Sequence, residues 1–381
     1  MRVHVDPDIA RAETLPAEAF TSREFLDLEL RTIFASSWLL VPLRSAAELR
    51  IDPRSLTELL KRRGARAPVA MLDRPLFLQR DMKGVLRCLP NVCTHAWHSL
   101  IEGAGREKMI VCPQHGRQFT ADGKFASQPG FKEIPPRDCD HLRTFPVEPW
   151  RELLFACLGA PAMRLDAMMS EVNATVAQLA VDEWRREAHP AEVREVAGNW
   201  KQHAWNYMDK FHVAFIHKAP GGLADAIELA GYRTELHRWS SLQWAYAKDP
   251  DHGFDPTHVP SRFGEGKKRV FALWWFVWPN LTLNFYPWGL SVNVYGPVPG
   301  KPDRTLFHWY HFVADWKKYA RRNETWLSES VDAEDIDAIG QVRRGAASGY
   351  ADRGRFAPGE EAGPHWFHRL VAEGVAQEKI G

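Results

Sequence analysis

The chain has 381 residues, of which 45% are hydrophobic and 25% charged, and a formal net charge of +1. That length suits two domains at roughly 150 residues each, and the charge balance gives no electrostatic case for nucleic acid or an anionic membrane surface. No apolar run reaches the roughly 20 residues a bilayer span needs, and Met1-Arg2-Val3-His4-Val5-Asp6-Pro7 has no secretory apolar core, so a cytoplasmic protein is the expectation.

Residues 15–35 read as helical, with Thr21-Ser22-Arg23-Glu24 as the cap and Phe25, Leu28, Leu30 and Ile33 following. From Ser37 to Gly159 the pattern turns to short strands: Val69–Leu72, Leu76–Leu78, Gly84–Cys88 and Met109–Val111, with a turn at Ala121-Asp122-Gly123-Lys124. Within that stretch lie two clamps, Cys93-Thr94-His95 and Cys112-Pro113-Gln114-His115, separated by 16 residues. Two thiolates and two imidazoles fit either a [2Fe–2S] centre, in which histidines replace two cysteines on one iron, or a tetrahedral zinc site. Cys88, Cys139 and Cys157 remain and are expected to be small buried hydrophobes.

After Gly159, residues 165–188 read as helix, Glu192–Gly198 as strand and Asn199–Phe211 as helix. Residues 249–269, rich in Pro, Gly and Lys, read as a mobile loop. Phe271–Val277, Leu281–Tyr286, Leu290–Tyr295 and Leu306–Val313 form an antiparallel meander, and residues 315–348 are helical again. A twisted sheet wrapped on helices accounts for this half. The 16 tryptophans fit a well-filled core or an aromatic-lined cavity.

The second constellation is Asp209-x-x-His212-x-x-x-x-His217. Asp209 and His212 share a helix face, but residues five apart lie about 140° out of phase on a regular helix. A break near Val213–Phe215 is therefore expected. Two histidines need a carboxylate to hold iron at an open site, and Asp332-Ala333-Glu334-Asp335-Ile336-Asp337 is the natural source.

Together these motifs resemble the Rieske non-haem iron oxygenases, the ring-hydroxylating large-subunit (alpha) superfamily, over nearly the whole length. The resemblance rests on Cys112-Pro113-Gln114-His115-Gly116 with Phe119 and Asp122-Gly123, on Asn199-Trp200-Lys201 before Asp209, His212 and His217, and on Glu334-Asp335-Ile336 with Arg344-Gly345 downstream. It implies an α+β protein. Residues 1–36 would be a helical segment packing on the catalytic domain, 37–159 an all-β Rieske domain, and 160–381 a helix-grip (START-like) catalytic domain with an antiparallel sheet. Cys93 and Cys112 would ligate one cluster iron, and His95 and His115 the other. His212, His217 and Asp335 would hold a mononuclear Fe(II), with Asp332 and Asp337 as lesser candidates. Asp209 would be the bridging carboxylate, joining a cluster histidine of the neighbouring subunit to an iron-ligand histidine of its own.

The implied activity is a terminal oxygenase using O2 and electrons from NAD(P)H, passed through a partner reductase, possibly with a ferredoxin, in a head-to-tail homotrimer. It would hydroxylate or oxidatively demethylate a small aromatic or quaternary-amine substrate. Trp205, Asn206, Met208, Trp275 and Phe285 are the expected pocket residues. A Trp278-Pro279-Asn280-Leu281 stretch also occurs in choline- and betaine-type members. The family's Arg-Gly after the first cluster histidine is here Ala96-Trp97, its Trp after the second His-Gly is Arg117, and its Gln near the iron segment is Arg343. The first exchange suggests an Arg–aromatic contact kept at a subunit junction. The competing readings are a non-enzymatic protein with a structural Cys2His2 zinc site and a ligand-binding helix-grip domain.

Overall fold

Strand runs separated by Pro-Asn, Pro-Trp-Gly and Pro-Gly can only turn back on themselves, and the second half folds accordingly. In the computed structural model, residues 3–42, 60–151, 153–177, 179, 185–186, 192–218, 220–321, 328–350 and 352–376 are described. The chain divides into two units, Trp38–Pro161 and Met1–Ser37 with Ala162–Gly381.

The larger unit is built on an antiparallel sheet ordered Arg185–Arg186, Lys301–Val313, Gly289–Val298, Leu281–Tyr286, Val270–Val277, Ser240–Tyr246 and Arg233–Leu236, with Glu192–Ala197 also paired to Lys301–Val313. Gly289 has φ 150°, and a Cβ there would stand 2.1 Å from the Phe312 carbonyl oxygen, so only glycine lets these two strands approach. The expected helix over 165–188 is corrected. Helices end at Val176, and Arg185–Arg186 is a strand, paired to Val313 and Phe312. The 249–269 segment is corrected too. Three 3-10 turns shape it, Phe254, Val259 and Phe263 are buried, and the Tyr246 hydroxyl donates to the Phe263 carbonyl.

The helices that position the site come from both ends of the chain. Ser22 caps Arg23–Glu29 by accepting from the Phe25 amide, and the chain continues into a π-helical turn, Leu30–Phe34. Asn199 caps Trp200–Met208 in a reciprocal capping box with Gln202. An unexpected C-terminal helix, Ala362–Val375, buries Phe367, Leu370, Val371 and Val375. Gly363 lets it lie on Met208, whose carbonyl would be 2.8 Å from a Cβ there.

A fully buried ion pair ties the N-terminal helix to the start of Trp200–Met208. Lys201 Nζ lies 2.8 Å from one Glu29 oxygen and 3.0 Å from the other, and also donates to Asn199 Oδ1 at 2.7 Å. Trp200 Nε1 donates to Glu29 Oε2 at 3.0 Å.

The smaller unit is all antiparallel β. A four-stranded sheet (Leu86–Pro90, Arg74–Arg80, Ala65–Met71, Gly105–Arg106) is joined by Met109–Val111, Gln118–Thr120 and Phe125–Ser127, and by Leu39–Leu40, Leu153–Ala156 and Val147–Trp150. Its core gathers Phe77, Leu89, Leu100, Ile101, Ile110, Phe119 and Leu142 around Cys93 and Cys112. Cys88 and Cys157 are buried as expected, but Cys139 is exposed.

Removing one partner of a buried ion pair strands the other charge, which costs about 3–5 kcal/mol. Glu29→Gln is therefore expected to lower the unfolding free energy read from a urea titration of the purified protein by that order. The double variant Glu29→Gln/Lys201→Met should lose less than the sum of the single changes in the same titration.

Candidate iron and cluster sites

The two clamps of the smaller unit adopt the same turn. Cys93 N–H donates to the His98 carbonyl (2.8 Å) and Trp97 N–H to the Cys93 carbonyl (3.1 Å). In the second clamp Cys112 N–H donates to the Arg117 carbonyl (2.8 Å) and Gly116 N–H to the Cys112 carbonyl (3.0 Å). Both thiols are 1% exposed. Burial, followed by the neighbouring Cys112 thiol, holds the Cys93 thiol above its ordinary value. His95 and His115 sit on the exposed side, their ring centroids 4.8 Å apart at 75°. This two-plus-two layout, sulfurs inside and imidazoles outside, fits a dinuclear cluster with one sulfur-bound and one imidazole-bound iron.

At the matched position of the two turns stand Trp97 and Gly116, with φ 63° and 68°. Left-handed backbone is free for glycine but costs about 1–2 kcal/mol for a residue with a Cβ. Trp97 is nevertheless 82% exposed.

The junction contact expected for Arg117 is corrected. Arg117 is 2% exposed and lies inside its own unit. It pairs with Asp140 at 2.5 Å, donates to Gln128 at 2.9 Å and stacks over Phe125 at 4.6 Å. The Asp140 carbonyl also accepts from Thr94 Oγ1 at 3.0 Å, so one residue braces both clamps.

In the larger unit, the helix break falls earlier than expected. Trp200–Met208 ends where Asp209 turns extended, and Asp209 Oδ1 accepts from the Phe211 amide at 2.7 Å. That side-chain bond closes an Asx turn and stops the helix. A second short helix, Val213–Ile216, then runs through the residues expected to hold the break. His212 precedes it and His217 follows it, so their Nε2 atoms come within 3.2 Å.

Asp335, on the helix Ser328–Ala346, completes the group. Its Oδ1 is 3.5 Å from His212 Nε2 and 3.1 Å from His217 Nε2. The three ligand atoms lie within 4.8 Å of one another, and Asp335 Oδ1 is buried without a hydrogen bond. Three converging hard and borderline donors around an orphaned carboxylate oxygen fit a 2-His-1-carboxylate iron centre. Each histidine also has an outer carboxylate at Nδ1: Asp209 Oδ2 at 3.6 Å from His212, and Glu334 Oε2 at 2.8 Å from His217. Such partners fix tautomer and ring orientation. Asp332 lines the neighbouring cavity, and Asp337 is not part of the group. Arg343 reaches Asp303 on Lys301–Val313 at 3.1 Å and so ties the Asp335 helix to the sheet.

A cavity of about 140 Å³ opens beside the three ligands. Gln243, Trp274, Asn284, Ser291 and His311, mutual partners on five successive strands, form one row across its floor. Asn293 and Trp309 pair in the next row. Tyr232 stacks on Trp274 (5.6 Å, 13°), and Tyr286 on Trp288 (5.2 Å, 12°). Trp274 Nε1 donates to the Tyr286 hydroxyl at 3.1 Å and Trp309 Nε1 to Ser291 Oγ at 3.1 Å, which leaves ring surface for a ligand.

Of the expected pocket residues, Asn206 lines this cavity. The other four do not. Trp205 packs edge-on against His368, Met208 lies under Gly363, Trp275 stacks on His237, and Phe285 is fully buried. Trp275 and Phe285 point the wrong way because side chains alternate across a strand. The neglected signal was the polar phase of those strands: Gln243, Asn284, Ser291 and Asn293 inside otherwise apolar runs mark the face that is not core.

Residues 181–377 match the model of the ring-hydroxylating alpha subunit catalytic domain, and residues 55–146 match that of the Rieske [2Fe-2S] domain. The chain belongs to the Rieske ring-hydroxylating oxygenase alpha-subunit family. Within that family it is 24% identical to the carnitine monooxygenase oxygenase subunit of Escherichia coli (strain K12), over 95% of this chain and 94% of the relative. It is 25% identical to the chloroplastic choline monooxygenase of Arabidopsis thaliana, covering 96% and 84%. The solved structure of a quaternary ammonium Rieske monooxygenase, described for carnitine oxidation and inter-subunit electron transfer, superposes with a TM-score of 0.73 at 23% identity, covering 97% and 99%. The chain is thus an oxidoreductase of the Rieske oxygenase type, and the fold is that of these enzymes.

Burial alone would lower the pKa of His212, but the Asp209 and Asp335 carboxylates beside it outweigh it and raise the value to about 9. At neutral pH the metal-free site therefore holds a proton that a metal ion must displace. Apparent Fe(II) affinity is expected to rise about tenfold per pH unit between pH 6 and 9 and to level above that, as read by anaerobic titration of the metal-free protein.

Proposed function

We propose that this protein is the terminal oxygenase of a reductase-fed system that oxidises a small quaternary ammonium compound. The observation that carries this reading is the aromatic cavity beside His212, His217 and Asp335. Its described lining includes Tyr232, Trp274, Tyr286, Trp288 and Trp309 and the carboxylates Asp209, Asp332 and Asp335, but neither lysine nor arginine. Rings present their negative faces to a cation, worth about 0.5–2 kcal/mol per contact, and the carboxylates add to the same field.

Cys93 and Cys112 would hold one iron of a [2Fe–2S] cluster, His95 and His115 the other, and His212, His217 and Asp335 a mononuclear Fe(II). These groups, when bound, supply one-electron delivery and the reduction of O2 that inserts oxygen into a C–H bond. The chain's own residues do the rest. Asp209 and Glu334 orient the two imidazoles. The stacked pairs Tyr232–Trp274 and Tyr286–Trp288 hold the ammonium head and exclude water. Asn206, Asn284, Ser291 and Asn293 supply the polar contacts that turn the substrate's remaining groups. A hydroxylated carbon attached to nitrogen breaks down to an amine and a carbonyl compound, so the expected outcome is monooxygenation with C–N cleavage.

Electrons from NAD(P)H would arrive through a partner reductase. Because Asp209 resembles the bridging carboxylate, its contact with a cluster histidine requires a second copy of the chain, most simply in a head-to-tail trimer. The relative described for inter-subunit electron transfer supports that arrangement.

Anaerobically purified protein should carry about three irons per chain and give a Rieske EPR signal on reduction. A colourless zinc protein would overturn the reading. Supplied with reductase and NADH, it should consume O2 with choline- or carnitine-like substrates and release a carbonyl product. Turnover confined to neutral aromatic rings would replace the quaternary-amine assignment. Trp288→Ala is expected to raise KM for the quaternary amine about tenfold, and Trp288→Phe to retain most of the affinity.

A further inference from the structure

Two exposed apolar features lie next to the two metal sites, and neither is explained by the fold of its own unit. In the smaller unit Trp97, two residues from His95, is 82% exposed and held at φ 63°, in the turn position that the matched clamp gives to Gly116. Its backbone N–H closes the clamp turn on the Cys93 carbonyl, but its ring has no aromatic or cation–π partner among the described residues. In the larger unit Phe211 (43% exposed), Phe215 (62%) and Ile216 (36%) form a patch on the turn between Asp209 and His217. Phe211 and Phe215 meet edge to face at 5.5 Å.

We propose that Trp97 of one copy of the chain inserts against Phe211, Phe215 and Ile216 of a second copy, forming the apolar anchor of the contact that joins cluster to iron site. The inference rests on the proposed function, in which Asp209 meets a cluster histidine of its neighbour. Two residues of chain span at most about 7 Å. A copy that places His95 against Asp209 therefore brings Trp97 within side-chain reach of residues 211–216. The polar groups are complementary as well, since an imidazole N–H donates and a carboxylate accepts. His95 and His115 present exposed imidazoles, and the Asp209 carboxylate, 16% exposed, lies at the edge of the aromatic patch. Buried aromatic anchors surrounded by polar pairs are the usual energetic centre of such interfaces. A tryptophan kept in a glycine-type backbone position gains its return only when covered.

The test uses the full holoenzyme with Trp97→Asn, which tolerates the left-handed backbone, with Phe215→Ser, and with both. Sedimentation over a concentration series should show each single variant weakening self-association by tenfold or more. The double variant should be no weaker than the weaker single. After chemical reduction of the cluster, its reoxidation by substrate and O2 should slow in the same variants below the dissociation concentration, while the cluster's visible and EPR spectra stay unchanged. Additive effects, or association unaffected by Trp97→Asn, would overturn the proposal. Slowed reduction of the cluster by the reductase, with self-association intact, would assign Trp97 to the electron-donor protein instead and equally overturn it. Absence of a Rieske spectrum in the parent protein would overturn the functional reading itself, a result separable from the sedimentation data.

Discussion

Two imidazoles five residues apart cannot face one ion from a regular helix, and the architecture of the larger unit turns on how that conflict is resolved. The resolution is local and covalently cheap. Asp209 captures the Phe211 amide, ends the helix at Met208 and lets the chain restart at Val213. Everything around this break is reinforced. Asn199 and Gln202 fix the start of the helix, the buried Glu29–Lys201 pair pins it to the N-terminal segment, and Gly363 lets the C-terminal helix lie against its last turn. The interruption is tolerated because its flanks are over-determined.

The ligand-bearing residues were legible because their chemistry is scarce. A Cys-His clamp pair and an Asp-x-x-His-x-x-x-x-His run stand out in a chain of ordinary composition. The meander was legible from its Pro and Gly punctuation. What the sequence left hidden was the phase of the strands. In the run 270–277 both faces are buried and apolar, so hydrophobicity there carries no direction, and only Thr282 and Asn284 of the next strand mark one face as polar. Trp274 and Trp275 are equally good core residues on paper. Only their cross-strand partners, Gln243 and Asn284 for Trp274 against Leu242 and Leu283 for Trp275, tell cavity from core. The helix Ala362–Val375 escaped notice because its Gly-Pro and paired histidines break the apolar pattern that its buried face otherwise shows.

The two clamps show how the same turn can carry different loads. Each closes with the same pair of backbone bonds, yet one has three residues from Cys to His inclusive and the other four. Arg117 and Trp97 then diverge in fate. Arg117 is drawn inward, where Asp140, Gln128 and Phe125 satisfy its charge and its planar face together. Trp97 is turned outward. The trade that looked in sequence like an exchange of equivalent contacts is, in space, a division between an internal brace and an external surface.

Asp209 shows why the site cannot be partitioned residue by residue. One carboxylate oxygen terminates the helix through Phe211, the other faces His212 Nδ1 at 3.6 Å, and the group is 16% exposed. The first duty needs only an acceptor, which an asparagine side chain supplies equally well. The ion pair with His212 needs charge. A change that preserves the acceptor while removing the charge therefore separates folding from electrostatics, whereas truncation to alanine abolishes the turn and moves both histidines at once. Glu334 bears no such double load. It accepts from His217 Nδ1 at 2.8 Å from within the helix Ser328–Ala346. Two carboxylates that stand alike beyond the two histidines thus differ in kind: one also closes the turn that places them, the other does not.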